Sequence, residues 1–359
     1  MTVLRASPLP HDPLHERPNR GFHPILEQEQ PYIFVDGCVQ IWPDADLPNA
    51  HRHGCDVFAV TALRPHEGVD DALSAIMDWH RIVREHDGLV LARTVADIRA
   101  AKASGRASLL LASQDGEFIG DRPERVEAFH ALGLRMLIPA YNRDNLLSGG
   151  VLEYTDAGLS ALGRHVVEEC DRVGVVLDAS HVSRRASLEM IDASRHPIVF
   201  SHANPKALVD NPRNVDDEQI RAVAERGGVI GTVNWGPLLF RDGMTARPTV
   251  DDFLDHIDYL ADLLGSTANI GIGSDFSLGS YPRHSHDRHG PHYKTVMTKM
   301  NEYVTTYWRA PERFAEGFST YPEIVDVTAK LKERGYGDDD VEGILGGNFL
   351  RVFEQVWGG

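Results

Sequence analysis

Residues 154–181 read YTDAGLSALGRHVVEECDRVGVVLDASH, and they contain one helix followed by one strand. Apolar residues recur at three- and four-residue spacing over Ala157–Arg172, which predicts an amphipathic helix. The short apolar run Gly174–Asp178 comes next and predicts a buried strand. The polar pair Ser180 and His181 follows directly. A helix that leads into a buried strand indicates a parallel sheet, and the polar pair would lie at one of its edges.

The same alternation of amphipathic stretches and short apolar runs extends along most of the chain. Three more helices are predicted at Arg125–Leu132, Arg184–Ser194 and Asp217–Arg226. Capping side chains precede three of the four helices, at Thr155, Ser183 and Asp216. Further strands are predicted at Tyr32–Asp36, Val57–Ala62, Ser108–Ser113, Arg135–Ala140, Pro197–Ser201, Gly228–Thr232 and Asn269–Gly273. Strands interleaved with helices in this number favour an α/β fold of the (β/α)8 TIM-barrel type, and no G-x-G-x-x-G motif follows the first strand to favour a dinucleotide-binding sheet.

The two ends of the chain differ from this middle part. Residues 1–30 are rich in Pro, His and charge and contain no continuous apolar run, so we interpret them as an exposed N-terminal arm rather than a signal peptide. Residues 31–359 are predicted to form a single barrel domain, in which Glu323–Gly359 supplies extra C-terminal helices. The histidine cluster His284–His292 is predicted to lie in a long loop above the last strand, either as a lid that contacts substrate or as fortuitous surface histidines.

Charge and composition exclude several classes of partner. The chain has 53 acidic and 36 basic residues among 359, and the resulting net charge of -17 repels phosphate backbones and anionic membranes. No stretch approaches the roughly 20 apolar residues of a membrane span. The three cysteines, Cys38, Cys55 and Cys170, are odd in number and widely spaced, which argues against a disulfide scaffold. We therefore expect a cytoplasmic protein that binds neither nucleic acid nor membrane.

The chemistry of such a barrel gathers at the carboxyl ends of its strands. His181, His202 and Asp275 each follow a different predicted strand, so all three would converge at the barrel mouth. Imidazole and carboxylate groups together can bind zinc. Plainer interpretations stay open, because the two histidines could act only as hydrogen-bonding groups and Asp275 could only cap a turn.

Four sequence motifs lie at these strand ends and in the tail, in a fixed order. They are VVLDASHVS at 175–183, VFSHANPKALVDNPRNVDDEQI at 199–220, GIGSDF at 271–276 and ILGGNFLRVF at 344–353. Over roughly residues 32 to 355 the chain resembles the membrane (renal) dipeptidase family of the amidohydrolase-like superfamily. The resemblance implies a TIM barrel and a homodimer.

The resemblance also implies roles for individual residues. In that family two zinc ions share a bridging carboxylate, and a metal-bound hydroxide attacks the peptide carbonyl. His181 and His202 match the two histidines that hold one metal, and Asp275 matches the aspartate that accepts and donates the proton. Arg213 stands at the position that binds the terminal carboxylate of the substrate. All four residues are present in this chain.

Other positions depart from the family pattern. Cys38 and Gln40 stand where the first strand normally ends in H-x-D, and Gln114 replaces the bridging glutamate. Tyr141 replaces a histidine that contacts the tetrahedral intermediate. Because neutral amides bind zinc much more weakly than carboxylates do, we expect one zinc ion rather than two.

The expected metal site is held by His181 and His202, with Asp275, Cys38 or Gln114 as further ligands. A thiolate binds zinc well, but Cys38 could equally be a small buried side chain with no ligand role.

The function predicted from these residues is a metal-dependent hydrolase for a small amide or dipeptide-like substrate that carries a carboxylate. Asp275 would act as general base, with Tyr141 as a second catalytic group. Arg213, Tyr141 and Asn234 would bind the substrate. Two alternatives stay open: a lyase, lactonase or cyclase on a metal-light or metal-free version of the same barrel, and an inactive binding protein.

Overall fold

The computed structural model describes residues 31–42, 45, 54–279 and 312–358. The predicted N-terminal arm and the His284–His292 cluster lie outside these residues, so their interpretation stays a prediction.

Parallel strands form the centre of the protein. They are β1 (Val35–Ile41), β2 (Val57–Leu63), β3 (Leu89–Leu91), β4 (Ala107–Ser113), β5 (Leu134–Leu137), β6 (Val176–Leu177), β7 (Val199–Phe200), β8 (Val229–Thr232), β9 (Ile270–Ile272) and β10 (Phe276–Leu278). Neighbouring strands follow the order β6-β5-β4-β2-β1-β9-β8-β7, while β3 pairs with β4 and β10 with β1. A parallel bridge between Asp178 and Val199 brings the two ends of this order together. The eight-stranded, nearly closed barrel confirms the predicted fold class.

The first strand differs from its prediction. It spans Val35–Ile41 rather than Tyr32–Asp36, and it continues through Gly37. A Cβ atom on Gly37 would lie 2.8 Å from both a phenyl ring carbon and a carbonyl oxygen of neighbouring elements. The glycine therefore permits close packing inside a continuous strand. As a result Cys38 and Gln40 lie within β1 rather than beyond it.

Helices surround the barrel. They are α1 (Val69–Glu85), α2 (Val95–Ala103), α3 (Arg125–Leu132), α4 (Ala161–Val173), α5 (Arg184–Ala193), α6 (Asp217–Glu225), α7 (Val250–Leu264), α8 (Ile324–Glu333), α9 (Asp338–Glu342) and α10 (Asn348–Trp357). The last three confirm the predicted C-terminal helices. Among the described helices, none combines the length and the apolar character that crossing a bilayer requires.

The helix starts follow local capping chemistry. Ser183 and Asp216 accept hydrogen bonds from backbone N–H groups in the first turns of α5 and α6, as predicted. The prediction for α4 was wrong by four residues. The Oγ atom of Ser160, rather than Thr155, accepts a hydrogen bond from the N–H group of Gly163 and fixes the start of the helix.

The C-terminal helix α10 fills the floor of the barrel. Phe349 is fully buried, and its ring lies 2.8 Å from an ideal Cβ position on Gly37 and 2.5 Å from one on Gly271. Phe353 packs beside it, together with buried valines of β1, β2, β6, β7 and β8. The interior is therefore a packed core, and the opposite end of the barrel is its open mouth.

The helix α7 buries a histidine without polar partners. His256 has no exposed surface, and neither of its ring nitrogens has a hydrogen-bond partner among the described residues. Burial, with a smaller contribution from the charge of Arg241, lowers the pKa of His256 from 6.5 to about 3. The folded protein keeps this imidazole neutral under conditions in which the unfolded chain protonates it, so its contribution to stability is lost as the pH falls below 6.5.

Replacing His256 with leucine should therefore make the fold less sensitive to acid. The linkage between protonation and unfolding assigns about 2 kcal/mol of lost stability to this residue between about pH 7.5 and about pH 5. Urea unfolding at several pH values should show a decline that is smaller by about that amount in His256→Leu. The control His165→Leu, at an exposed position of α4, should keep the wild-type decline. An unchanged decline in His256→Leu would contradict the assignment.

Candidate active site at the barrel mouth

The predicted site residues gather at one end of the barrel, because parallel strands of a barrel end on the same side. Cys38 lies within β1, and Gln114 follows β4 directly. His181, His202 and Asp275 come within a few residues of the ends of β6, β7 and β9. Asp275 is partly exposed and the other four side chains are buried. The buried polar groups therefore depend on hydrogen-bond partners within the protein.

The two histidines face each other. The Nε2 atoms of His181 and His202 are 2.8 Å apart. The Nδ1 atom of His181 lies 2.8 Å from Oδ1 of Asn142, and the Nδ1 atom of His202 lies 2.7 Å from Oγ of Ser201. A carbonyl oxygen at Nδ1 selects the tautomer with the proton on Nδ1, so Nε2 of His181 carries a lone pair that can accept a hydrogen bond or bind a metal. Burial, aided by the charge of Arg213, holds the pKa of His202 well below its usual value, so this imidazole is neutral.

A cation and an aromatic ring flank the histidine pair. Arg213 is buried, its Nη2 atom lies 3.1 Å from Nε2 of His181, and it donates a hydrogen bond of 3.3 Å to the backbone oxygen of His202. The ring of Tyr141 stacks on that of His181 with 4.2 Å between centroids. A group that enters the mouth beside the imidazoles therefore meets a guanidinium and an aromatic face.

The other side of the mouth holds an amide and thiol cluster around one carboxylate. Gln114 donates from Nε2 to the sulfur of Cys38 over 3.0 Å, and Gln40 donates from Nε2 to Oδ1 of Asp275 over 3.1 Å. The sulfur of Cys38 lies 4.0 Å from the same Oδ1 atom. Burial raises the pKa of the Cys38 thiol and that of Asp275, the latter to about 6. This half of the site carries a protonated thiol, two neutral amides and one carboxyl group.

The structure assembles the two histidines with each other but not with a third charged ligand. Among the described residues, neither Asp275 nor Cys38 joins the histidine nitrogens in a group of three potential ligand atoms within 4.8 Å of one another. Gln40 and Gln114 hold these two side chains on the opposite half of the mouth. Their predicted role as metal ligands, and that of Gln114, stays a prediction.

A carboxylate that the sequence did not single out supports the site from below. Asp36 is fully buried in β1, and its Oδ1 atom accepts hydrogen bonds from the N–H groups of Ser274 at 2.8 Å and Cys38 at 3.2 Å. Its Oδ2 atom accepts from the hydroxyl of Tyr321 at 2.6 Å and from that of Ser274. Burial raises the pKa of Asp36 to about 6. An aspartate inside the apolar run YIFVDGCVQI was the one available signal.

Asp178 supports the histidine half in the same way. Its Oδ1 atom accepts hydrogen bonds from the N–H groups of Ser180 at 2.9 Å and Ser201 at 3.0 Å. These serines immediately precede His181 and His202, so one buried carboxylate sets the separation of the two strand ends. Such partners fix the orientation of metal-binding or catalytic side chains.

Backbone conformation marks the same region. Four non-glycine residues among those described have a positive φ: His66 at 67°, Asn142 at 63°, His181 at 69° and Asp275 at 56°. Non-glycine residues are uncommon there, and those that occur cluster at functional sites. All four lie on loops that follow barrel strands.

Asn234 contacts the backbone of the C-terminal region. Its Oδ1 atom accepts a hydrogen bond from the N–H group of Ala315 at 3.2 Å, and its Nδ2 atom donates to the carbonyl oxygen of Phe318. Both ends of the amide are thus engaged with residues 315–318, and its role in substrate binding stays a prediction.

A family model described as Membrane dipeptidase (Peptidase family M19) matches residues 44–302 and 304–357. The chain belongs to the membrane dipeptidase family. The recognition made from the four strand-end and tail motifs is therefore confirmed.

Individual relatives support the assignment. Dipeptidase tcpJ of Claviceps purpurea is 27% identical over 313 residues, which are 87% of this chain and 64% of that protein. An uncharacterized dipeptidase of Schizosaccharomyces pombe is 30% identical over 241 residues, 66% of this chain and 50% of that protein. The chain thus spans about half to two thirds of the length of these membrane dipeptidase relatives. An amidohydrolase structure from Pseudomonas aeruginosa matches 91% of this chain and 97% of that chain, with a TM-score of 0.77 and 29% identity.

The loop after β7 and the end of β9 are packed closely enough that a side chain at Gly273 should destabilise the fold. A Cβ atom on Gly273 would overlap the carbonyl oxygen of Ser201 and lie 3.2 Å from the Cβ atom of His202. Gly273→Ala should therefore displace the strand end that carries His202 and cost about 1–3 kcal/mol of unfolding free energy, as overpacking typically does. Urea denaturation measures the loss. Gly68→Ala is the control, since nothing lies within 4 Å of its Cβ position; equal midpoints for both variants would contradict the packing argument.

Proposed function

We propose that the protein is a metal-dependent hydrolase that cleaves a small amide or dipeptide-like compound with a free carboxylate, and that it uses one metal ion rather than two. The observation that carries the proposal is the pair of facing imidazoles, His181 and His202, with the Arg213 guanidinium beside them. Family membership and the names of the relatives, several of them dipeptidases, support the same reaction class.

The histidine half of the mouth fits a metal. Both Nδ1 atoms face side-chain oxygens of Asn142 and Ser201, the two Nε2 atoms lie 2.8 Å apart, and His202 is neutral. Neutral imidazole is the form that binds zinc, and hydrogen bonds at the other ring nitrogen orient it. A zinc ion bound there would act as a Lewis acid on the scissile carbonyl.

The opposite half fits a second metal poorly. The amides of Gln40 and Gln114 donate to Asp275 and Cys38, and the raised pKa of the Cys38 thiol keeps it protonated. Amide oxygens are weak ligands for zinc, and a protonated thiol must lose its proton before it can bind the metal. One carboxyl group in this half does not offset the charge of a second divalent ion. We therefore assign the catalytic metal to His181 and His202, with Asp275, Cys38 or Gln114 as candidates for a further ligand.

Asp275 is suited to move the proton. Its pKa of about 6 leaves it ionised at neutral pH and still able to take up a proton during the reaction. The Gln40 amide donates to Oδ1 and orients the carboxylate. In hydrolysis Asp275 accepts a proton from the attacking water and passes it to the leaving amine nitrogen, so that water is divided between the two products.

Arg213 is suited to bind the substrate carboxylate. It is buried, permanently charged and fixed by the backbone oxygen of His202. A guanidinium binds a carboxylate with charge-assisted hydrogen bonds of defined geometry. Tyr141, stacked on His181, would line the neighbouring wall of the pocket and narrow the choice of side chain.

A second candidate function follows from one distance. The guanidinium of Arg213 lies 3.1 Å from Nε2 of His181, where its charge opposes that of a metal ion. In this alternative the site performs metal-independent acid–base chemistry, as in a lyase or lactonase, with Asp275 as the base. Insensitivity of activity to chelators would favour it.

We also propose that the chain forms one barrel domain over residues 31–359 and acts as a cytoplasmic homodimer. Cys38, Cys55 and Cys170 are buried and unpaired, as expected for a reducing compartment.

The metal assignment predicts the outcome of replacing His202. His202→Ala should bind one equivalent of zinc less than the wild type in equilibrium dialysis and should lose nearly all hydrolysis of alanyl-alanine. Wild-type activity should fall with chelator and return with zinc. His196→Ala is a matched control at a half-buried position outside the mouth and should keep both properties. Full activity in His202→Ala would disprove the site.

The carboxylate assignment predicts a change in substrate preference. Arg213→Gln should lower kcat/KM for alanyl-alanine about 10- to 100-fold, the equivalent of one or two lost charge-assisted bonds, through KM more than kcat. Alanyl-alaninamide, which lacks the carboxylate, should be a poor substrate for both forms. An equal loss on both substrates would show that Arg213 does not recognise the carboxylate.

A further inference from the structure

A second group of potential metal ligands lies at the rim of the mouth. His66 follows β2, while Asp115 and Glu117 follow β4. The Nδ1 atom of His66 lies 3.4 Å from Oδ2 of Asp115 and 3.2 Å from Oε1 of Glu117. Within the described part of the chain, these three ligand atoms all lie within 4.8 Å of one another. None of the three residues belongs to the site assigned above.

The two separations from His66 match those of a coordination sphere. Zinc binds imidazole nitrogen and carboxylate oxygen at about 2.0–2.2 Å, so two ligand atoms in a tetrahedral site lie about 3.3 Å apart. The two distances from His66 are within about 0.1 Å of that edge length. One imidazole and two carboxylates leave a further coordination position open to water.

One of the three side chains is buried and the other two are exposed to solvent. The Asp115 side chain is 3% exposed, whereas those of His66 and Glu117 are 38% and 40% exposed. Two carboxylates that share one imidazole repel each other, and this repulsion adds to burial in raising the pKa of Asp115 to about 6. A divalent cation would offset that repulsion, and it can reach the group from solvent through the two exposed side chains.

The surrounding hydrogen bonds organise the ligands in advance. The N–H groups of His66 and Glu117 donate to the Asp115 carboxylate over 3.1 Å and 3.3 Å, which ties both loops to it. Asn145 donates from Nδ2 to Oδ1 of Asp115 over 2.9 Å. Asp115 therefore keeps Oδ2 on the side of His66, and ligands held in this way bind metals more tightly than mobile ones.

Neighbouring residues in the same turn point in opposite directions. Gln114 donates to Cys38 inside the mouth, whereas Asp115 contacts the loop of His66. The two potential metal positions are separated by Tyr141, whose ring stacks on His181 and meets the ring of His66 edge-on, with 6.5 Å between centroids. An ion at His66 would join the loops after β2 and β4 and brace Tyr141.

We propose that His66, Asp115 and Glu117 bind one divalent transition-metal ion such as zinc, independently of His181 and His202, and that this ion braces the rim of the active site.

The test uses the full-length chain, freed of metal, with zinc as the probe. His181→Ala/His202→Ala serves as the background, because it removes the other site whether or not that site binds metal. Calorimetric titration of this background should show one zinc equivalent, and zinc should raise its melting temperature. Adding Glu117→Gln or His66→Asn should weaken that binding at least tenfold. Asparagine is chosen because it tolerates the positive φ of position 66.

The control variant is Glu124→Gln, which removes a carboxylate of similar charge from an exposed position, 65% accessible, on the same loop. It should bind zinc as the background does. Circular dichroism and melting without zinc verify that each variant folds. If the background does not fold, Glu117→Gln in the wild-type chain should bind one equivalent less than Glu124→Gln.

No zinc binding in the folded background, or equal binding by Glu117→Gln and Glu124→Gln, overturns the proposal. Either result leaves the His202→Ala comparison untouched, so the two assignments fail separately.

Discussion

The carboxylate of Asp36 accepts four hydrogen bonds from three segments that are far apart in the chain, and the mouth of the barrel depends on it. It ties β1 to the end of β9 through Ser274 and to the C-terminal region through Tyr321. Cys38 donates its backbone N–H group to Asp36, and Asp275 directly follows Ser274, which donates to the same carboxylate. A buried carboxyl group is costly without such partners, and this one has donors on both oxygens. Its position therefore fixes the thiol and the carboxylate of the site relative to each other.

The spacing of apolar residues predicted the barrel and the polar residues at its strand ends. Both the spacing and the distance of a residue from a strand can be read from a short stretch of sequence. His181, His202 and Asp275 could be placed in this way. The end of β1 could not, because the strand continues through Gly37, which packs against Phe349 from the far end of the chain. Tyr321 lies 285 residues from Asp36, and no local pattern predicts such a contact. The contacts of His66 with Asp115 and Glu117 could not be predicted for the same reason, since His66 follows β2 and its partners follow β4.

Charge is distributed unevenly across the mouth. One half combines two imidazoles with a guanidinium, and the other combines a thiol and two amides with a single carboxyl group. Negative charge appears again just outside, at Asp115 and Glu117. A substrate with a carboxylate at one end and an amide in the middle suits this polarity, since its anionic end is attracted to Arg213 and repelled by Asp275.

The floor of the barrel brings together residues that are far apart in the sequence. The ring of Phe349 occupies the space that side chains on Gly37, Gly231 and Gly271 would need. A Cβ atom on Gly271 would lie 2.5 Å from that ring, whereas one on Gly37 or Gly231 would also meet the carbonyl oxygen of Ser201. A smaller residue at 349 alone would leave a cavity beneath the barrel strands that carry the candidate site residues. Gly271 and Phe349 therefore depend on each other: a larger residue at position 271 requires a smaller side chain at position 349.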